Sequence, residues 1–316
     1  MPLSRHRRTM RANQTLRKDH QSVGPPRSPR GQHDLQAQDL ICNDRVLSFP
    51  SPQLMGVLNI TPDSFSDGGR LFDRGAVRLD AVRSQAQKMV AAGAAVLDIG
   101  GESSRPGAVS VSPIEEQRRV LPVLEALQDL DAVLSVDTYH AETVIAAIGT
   151  GAGMINDITG GSDPAVVSAV ANSDVAYALM HMQGSPQTMQ LDPTYANVVT
   201  EVAAYLAQRV SECTSAGIPS SRLIVDPGFG FGKSLEHNLA LLRHLEDLRV
   251  GTGPILVGLS RKSMIGAITG QPVEKRLPGS LATVMLAAQN GANLIRVHDV
   301  EESADTLRIF AAYREL

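Results

Sequence analysis

The chain has 316 residues, 43% of them hydrophobic, enough to bury the core of one domain of the roughly 250-residue barrel class and leave an extension. Lys and Arg number 29 against 33 Asp and Glu, a formal net charge of -4, so no excess of positive charge invites nucleic acid or an anionic membrane surface. No apolar run approaches the ~18 residues of a membrane span, and none near Met1 reads as a secretion signal, so a soluble, cytoplasmic protein is expected.

Residues 1–49 differ in kind from the rest. Arg5, Arg7, Arg8, Arg11, Arg17, Lys18, Arg27 and Arg30 meet few acids and little apolar periodicity, which predicts a disordered basic extension. An Arg-rich transit segment is the alternative, weakened by the lack of an amphipathic helix. Val46–Phe49 reads as a short strand that would plug the bottom of a barrel. Cys42 and Cys213 are far apart and match neither a zinc spacing nor a disulfide framework; a core filler and a surface thiol are expected.

From residue 50 onward one pattern recurs. A short apolar run ends in polar residues and gives way to a helical stripe, in Met55–Asn59, Val96–Glu102, Val133–Asp137, Met154–Asp157, Ala178–His181, Leu223–Asp226, Ile255–Ser260 and Leu294–Asp299. Continuous apolar runs suit strands buried on both faces, and eight β/α units are the count that closes a (β/α)8 TIM barrel. A single-domain barrel over 50–316 is therefore predicted.

The helices alternate with these runs. Val82, Ala86, Met89 and Val90 share a face that stops near Gly93, and Ser112-Pro113-Ile114-Glu115 has the form of a capping box with proline in the first turn. Short spacings leave room for helices at 142–148 and 164–171. Val198, Val202, Leu206 and Val210 define the fifth helix, residues 235–248 the sixth, and Val300, Ala304, Leu307 and Ala311 the last.

In such a barrel the strand ends carry the chemistry. Asp137, Asn156, Asp226 and Lys262 come from strands three, four, six and seven. Two carboxylates, an amide and an ammonium suit a flat heterocycle with an amino-pyrimidinone edge. Asn59, Arg105, Arg296 and His298 come from strands one, two and eight, neighbours once the barrel closes, and ask for a polyanion such as pyrophosphate. A hard divalent cation would then bind phosphate oxygens and the Asn59 amide oxygen. The Gly228–Lys233 segment fits neither the P-loop nor the dinucleotide fingerprint; its glycines let a loop approach a flat ligand, with Phe231 available to stack. No nucleophile elbow and no zinc-type histidine cluster is present.

Five ordered motifs, Asn59–Gly69, Gly101–Gly107, Asp226–Lys233, Ser260–Ser263 and Arg296–Val300, closely resemble those of the dihydropteroate synthase family of folate biosynthesis. The resemblance runs from about Pro50 to the C-terminus. It implies a transferase that joins 4-aminobenzoate to (7,8-dihydropterin-6-yl)methyl diphosphate, releasing pyrophosphate. On matching positions it implies that Asp137, Asn156, Asp226 and Lys262 hold the pterin with Met180 on its face. Asn59, Ser104, Arg105, Arg296 and His298 would bind the diphosphate with Mg2+ at Asn59, and Phe65, Pro106, Lys262 and Ser263 would surround the aminobenzoate. Ser104 stands where the family pattern has threonine, which keeps the hydroxyl but frees its rotamer. The resemblance also implies a homodimer and sulfonamides as inhibitors. A methyltetrahydrofolate–corrinoid methyltransferase and an inactive pterin-binding paralogue are the alternatives. Both leave the arginine and histidine of the second group without a use.

Overall fold

A computed structural model describes residues 37–61, 72–73, 76–103 and 110–314. Strands β1 (Leu40–Cys42) and β2 (Arg45–Leu47) form an antiparallel hairpin, and β3 is Gln53–Asn59. Strands β4 (Phe72–Asp73) and β5 (Ala76–Val77) form a second small antiparallel pair before α1 (Leu79–Ala92). The chain then alternates: β6 (Ala94–Gly100), α2 (Pro113–Leu127), β7 (Val133–Asp137), α3 (Ala141–Gly149), β8 (Met154–Asp157), α4 (Pro164–Ala171), β9 (Ala176–Met180), α5 (Val198–Ser215). It continues through β10 (Leu223–Asp226), α6 (Leu235–Arg243), β11 (Leu256–Gly258), α7 (Ser263–Thr269), α8 (Leu277–Gln289), β12 (Leu294–Val297) and α9 (Val300–Arg314).

Eight strands make one parallel sheet in the order β10-β9-β8-β7-β6-β3-β12-β11. A parallel bridge between Val225 and Ile255, with the Val225 amide donating to the Pro254 carbonyl at 3.2 Å, joins the two outer strands and rounds the sheet into the predicted barrel. Side chains alternate across each strand. Leu54, Leu58, Leu97, Ile99, Val136, Ile155, Val225, Val257 and Ile295 face the helices in the larger core. Met55, Val96, Val133, Met154, Ala176, Ala178, Ile224, Leu256 and Leu294 form a separate core, together with Leu40, Cys42, Leu47 and Phe49 of the hairpin region. The hairpin thus packs with the barrel's inward apolar residues; of the expected plug strand Val46–Phe49, Leu47 and Phe49 enter this core, while the strand itself runs Arg45–Leu47 and Val46 is exposed.

Folded structure therefore begins before residue 50, and the boundary drawn from composition is moved toward the N-terminus. Strands of three residues are too short to leave a periodic signature. Residues 1–36 lie outside those described.

Most helices obey their apolar stripes. In α1, Val82, Ala86 and Met89 are buried and Gly93 ends the helix in the left-handed region at φ 106°. At α2, Ser112 accepts from the Glu115 amide at 3.3 Å, but Glu115 turns to Arg119 at 2.9 Å, so the capping box is half made. The sixth helical stretch splits into α6 and a 3-10 turn at Leu245–Leu248. In α9 the buried stripe is Val300, Ser303, Ala304, Thr306 and Phe310, with Leu307 packed at its margin and Ala311 only partly covered. Neither cysteine is a surface thiol: Cys42 and Cys213 are both fully buried, and burial pushes their pKa values up to about 12 and about 11.

Candidate active site at the barrel mouth

Strand register aligns the polar ends. Asn59 of β3 pairs with Gly100 of β6, Gly100 with Asp137 of β7, and Asp137 with Asn156 of β8, so four strands end in one row. On the other side Asp226 of β10 pairs with Met180 of β9, and Arg296 of β12 with Gly258 of β11. Below this row the inward face is mostly apolar, as at Ala178, Ile224, Leu256 and Leu294, and polar groups reach one position deeper at Asp98 and Ser135.

The centre of the site is Arg296. Its Nε donates to Asp98 Oδ2 at 2.6 Å and a terminal nitrogen donates to Asp137 Oδ2 at 2.9 Å. Burial works against its charge, but pairing with Asp98 and Asp137 wins, and its pKa is held above the ordinary arginine range. Asp98 is fully buried and also accepts from the Ser135 hydroxyl at 2.7 Å and from Asn156 Nδ2 at 3.2 Å. Sequence reasoning that looked only at strand ends missed Asp98. The signal was available in the period of two, because Val96, Asp98 and Gly100 share the inward face with the strand-end row.

Asp137 is pushed up to about 7, chiefly by burial, with Arg296 opposing the shift and Asp98, Glu116 and Asp157 adding to it. Asp226 is raised by burial, against the Gly228 amide that donates to its Oδ1 at 2.7 Å and the charges of Lys262, Lys233 and Arg296. Asp226 and Arg296 therefore share one mouth and feel each other's field. Lys262 lies just past β11 and is drawn down to about 8, mainly by burial. Its Nζ donates to the Phe229 carbonyl and stands 4.5 Å from the centroid of Phe231, so Phe231 faces a cation as well as the mouth.

The loop after β10 is set by close contacts. Gly228 has φ +68°, and a Cβ there would lie 2.0 Å from the His181 carbonyl oxygen and 3.1 Å from Met180 Cγ, so Met180 packs directly on the turn. Lys233 is buried and donates to the carbonyls of Phe231 at 2.9 Å and His181 at 3.3 Å and to His181 Nδ1 at 2.9 Å. An ammonium only donates, so Nδ1 accepts and the ring proton sits on Nε2. Burial and then Lys233 hold His181 down to about 3.

His298, just beyond β12, is placed by Ser260: its amide and its Nδ1 lie 3.3 and 3.1 Å from the Ser260 hydroxyl. Ser263 is the exposed first residue of α7. Arg261, with φ 58°, pairs with Asp299, Nε to Oδ2 at 3.0 Å. The structure thus gathers Asn59, Asp137, Asn156, Met180, Asp226, Phe231, Lys262, Arg296 and His298 at one end of the barrel. Phe65, Ser104, Arg105 and Pro106 lie outside the described residues.

Among the described residues two places have donors suited to a cation. Asn59 Oδ1 and Asp137 Oδ2 would lie 3.6 and 3.7 Å from a Cβ on Gly100, so a neutral amide oxygen and a carboxylate flank one point of the rim. Asp137 Oδ2 is already taken by Arg296 at 2.9 Å, which leaves the Asn59 amide oxygen as the protein donor for a hard ion that keeps most of its ligands from substrate and water. Glu102, Glu116 and His140 bring three ligand-type atoms within 4.8 Å of one another. Their atoms are engaged: Glu102 faces His140 Nε2 at 2.9 Å and accepts from Tyr139 at 3.0 Å, and Glu116 accepts from Thr138 at 2.7 Å. This network ties the end of β6 to α2 and the start of α3.

A barrel whose mouth sets buried carboxylates, an amide and a lysine around a flat opening belongs to a class that binds polar heterocycles. In agreement, the family model described as pterin binding enzyme matches residues 55–298. Dihydropteroate synthase of Haemophilus influenzae is 46% identical over 274 residues, covering 86% of this chain and 98% of that protein. The crystal structure of Yersinia pestis dihydropteroate synthase with a sulfonamide drug complex superposes with a TM-score of 0.83 at 45% identity, over 88% of this chain and all of the other. The Burkholderia cenocepacia enzyme complexed with 7,8-dihydropteroate superposes with a TM-score of 0.81 at 42% identity, over 89% and 98% of the two chains. The chain belongs to the dihydropteroate synthase family.

Proposed function

We propose that this protein condenses (7,8-dihydropterin-6-yl)methyl diphosphate with 4-aminobenzoate to give 7,8-dihydropteroate and pyrophosphate. The observation that carries the reading is the shared mouth of Asp98, Asp137, Asp226, Arg296 and Lys262, which has hydrogen-bonding groups for a planar ring and fixed negative charge beneath it. It also offers His298 and Asn59 on the rim for an anionic leaving group.

The chemistry suits that charge pattern. The C–O bond to the diphosphate breaks with its electron pair going to oxygen, and a pterin-stabilised carbocation remains. The amine lone pair of aminobenzoate then forms the C–N bond and the nitrogen loses a proton. No protein nucleophile is required, and the enzyme's part is electrostatic. Arg296 is paired to two carboxylates, so the Asp98–Arg296–Asp137 group carries net negative charge under the ring and favours the cation. Asn156 and Asp226 orient the ring, Met180 packs on its face, and Lys262 donates to its carbonyl. His298, steadied by Ser260, stands at the pyrophosphate side with Asn59. Mg2+, held there by Asn59 and substrate oxygens, would supply Lewis-acid stabilisation of the leaving group. Ser104 and Arg105 complete the diphosphate set in this reading. Phe65, Pro106 and Ser263 complete the aminobenzoate set. The protein works in the cytoplasm as a homodimer.

Incubating the protein with the pterin diphosphate, 4-aminobenzoate and Mg2+ tests the reading: dihydropteroate and pyrophosphate should appear in equal amounts. Their absence, or methyl transfer to a corrinoid instead, would sink it.

A further inference from the structure

We infer that Asp98 is a positioning residue: it fixes which way the Asn156 amide faces and where the Arg296 guanidinium stands, and so sets the hydrogen-bond pattern that the mouth presents to the ring. This deepens the proposed function and rests on it.

Proton direction decides the orientation. A carboxylate paired to a guanidinium can only accept hydrogen bonds. Asp98 takes one from each of three strands: Ser135 Oγ on β7 at 2.7 Å, Asn156 Nδ2 on β8 at 3.2 Å and Arg296 Nε on β12 at 2.6 Å. The Ser135 proton is thereby committed. More consequentially, Asn156 has to turn its NH2 toward Asp98. Among the hydrogen bonds of the described residues none ends on Asn156 Oδ1, so the amide offers an acceptor for a ligand. A flipped amide would offer NH2 instead and would set oxygen against oxygen at Asp98. A side chain that never meets the substrate thus decides whether Asn156 recognises a donor or an acceptor.

Depth supports the same assignment. Asp98 lies two residues before Gly100 on β6, and Gly100 is the register partner of Asp137, so Asp98 sits one inward position below the strand-end row. Its carboxylate is wholly buried. The neighbouring inward position on the same strand, Val96, is apolar and belongs to the plug core, so an apolar residue would serve packing alone. A buried ion pair is a poor device for stability and an effective one for fixing a unique arrangement.

Two replacements separate orientation from bulk stability. Asp98→Asn keeps an oxygen that can accept from both Asn156 and Arg296, while the Ser135 hydroxyl turns to accept from its new NH2. Asp98→Ala removes the acceptor altogether. Binding of free pterin and of its isomer 4-amino-2-oxopteridine, in which donor and acceptor are exchanged on the pyrimidine ring, is measured by calorimetry. The KM of aminobenzoate is measured at saturating pterin diphosphate, and the thermal midpoint of each variant is recorded.

For Asp98→Ala the pterin Kd should rise at least tenfold and the preference for pterin over its isomer should fall at least fivefold. For Asp98→Asn both should stay within about threefold of the parent protein, and in both variants the aminobenzoate KM should stay within about twofold. The inference is overturned if folded Asp98→Ala keeps the parent's preference, or if the aminobenzoate KM rises as much as the pterin Kd. It is also overturned if Asp98→Asn loses the preference, a result that can be read even when Asp98→Ala does not fold. Failure of the parent protein to bind pterin at all would take down the functional reading and this inference with it; binding by the parent with the variant order reversed would take down only the inference.

Discussion

Arg296 Nε lies 2.6 Å from Oδ2 of Asp98, a carboxylate with no solvent exposure, while the same guanidinium reaches Asp137 at 2.9 Å. One cation therefore joins the two halves that the sequence suggested were separate, a ring-binding half and a diphosphate-binding half. Held by diphosphate alone, Arg296 could be lost with little effect on free pterin. Held as it is, its loss strips the counter-charge from the floor of the ring site.

Arg296→Ala should accordingly weaken binding of free pterin as well as turnover, each by at least tenfold. It should also destabilise the fold by about 3–5 kcal/mol, the usual cost of leaving one buried partner uncompensated. Arg296→Lys should rescue little, since a single ammonium cannot span two carboxylates as the planar fork does. Urea unfolding and calorimetry of the two variants check this. A turnover defect with unchanged pterin affinity would return Arg296 to the diphosphate.

The pH dependence of pterin binding should be bell-shaped and narrow. Burial favours the neutral acid of Asp137, pushed up to about 7, and the neutral amine of Lys262, drawn down to about 8. The ring needs an acceptor at the first and a donor cation at the second, so affinity rises toward pH 7 and falls above 8. On the acid side one linked proton gives up to roughly tenfold per pH unit. Stability moves the opposite way on that side. From about pH 4 to about pH 7 the folded protein keeps a proton on Asp137 that the unfolded chain has released, so rising pH reduces stability through this group. Asp137→Asn should remove both the acid limb of binding and this slope, and Lys262→Arg should flatten the alkaline limb. Titration calorimetry across the range, with thermal midpoints at each pH, tests both signs.

Much of this arrangement could be read from residue patterns because strands buried on both faces announce themselves as apolar runs, and their ends as sudden polarity. Asn59, Asp137, Asn156 and Asp226 stand in or beside the strand-end row for that reason. Asp98 escaped because it interrupts an apolar run instead of ending one. Its meaning lies in partners 37, 58 and 198 residues away, which no local pattern reveals. The same holds for Lys233, which looked like the tail of a glycine loop and proves to be its clamp. The β1–β2 hairpin was hard to read for a different reason: it is too short to be periodic, and tertiary packing on the barrel floor fixes it.

Gly228 provides a steric test of that loop. Alanine there would need a left-handed backbone and would drive Cβ to 2.0 Å from the His181 carbonyl oxygen, which belongs to backbone that cannot swing aside. Gly217 has a similarly unfavourable φ of +102° but nothing within 4 Å of the added carbon. Gly217→Ala should therefore cost only the local strain, about 1–2 kcal/mol, whereas Gly228→Ala should cost several times more or fail to fold. Equal thermal midpoints for the two would show that the turn after β10 is not packed as described.

Lys233 closes the same loop through hydrogen bonds. Its ammonium satisfies the carbonyls of His181 and Phe231 and the Nδ1 of His181 in a buried setting, and Lys233→Met would leave those acceptors without a donor. A loss of about 1–3 kcal/mol for each stranded group is expected, with weaker pterin binding because Phe231 and Gly228 are no longer held. The titration has its own sign. Burial draws Lys233 down to about 7, against about 10.4 in an unfolded chain, so between those values the unfolded state binds the extra proton and stability rises with pH. Lys233→Met should abolish that rise. His181 is held low by burial first and by Lys233 second, so in the variant its pKa climbs but stays under that of a free imidazole. Nitrogen chemical shifts of His181 should report the Nε2–H tautomer in the parent protein between about pH 5 and about pH 7, where Lys233 is an ammonium, and a charged ring in that range would contradict the clamp.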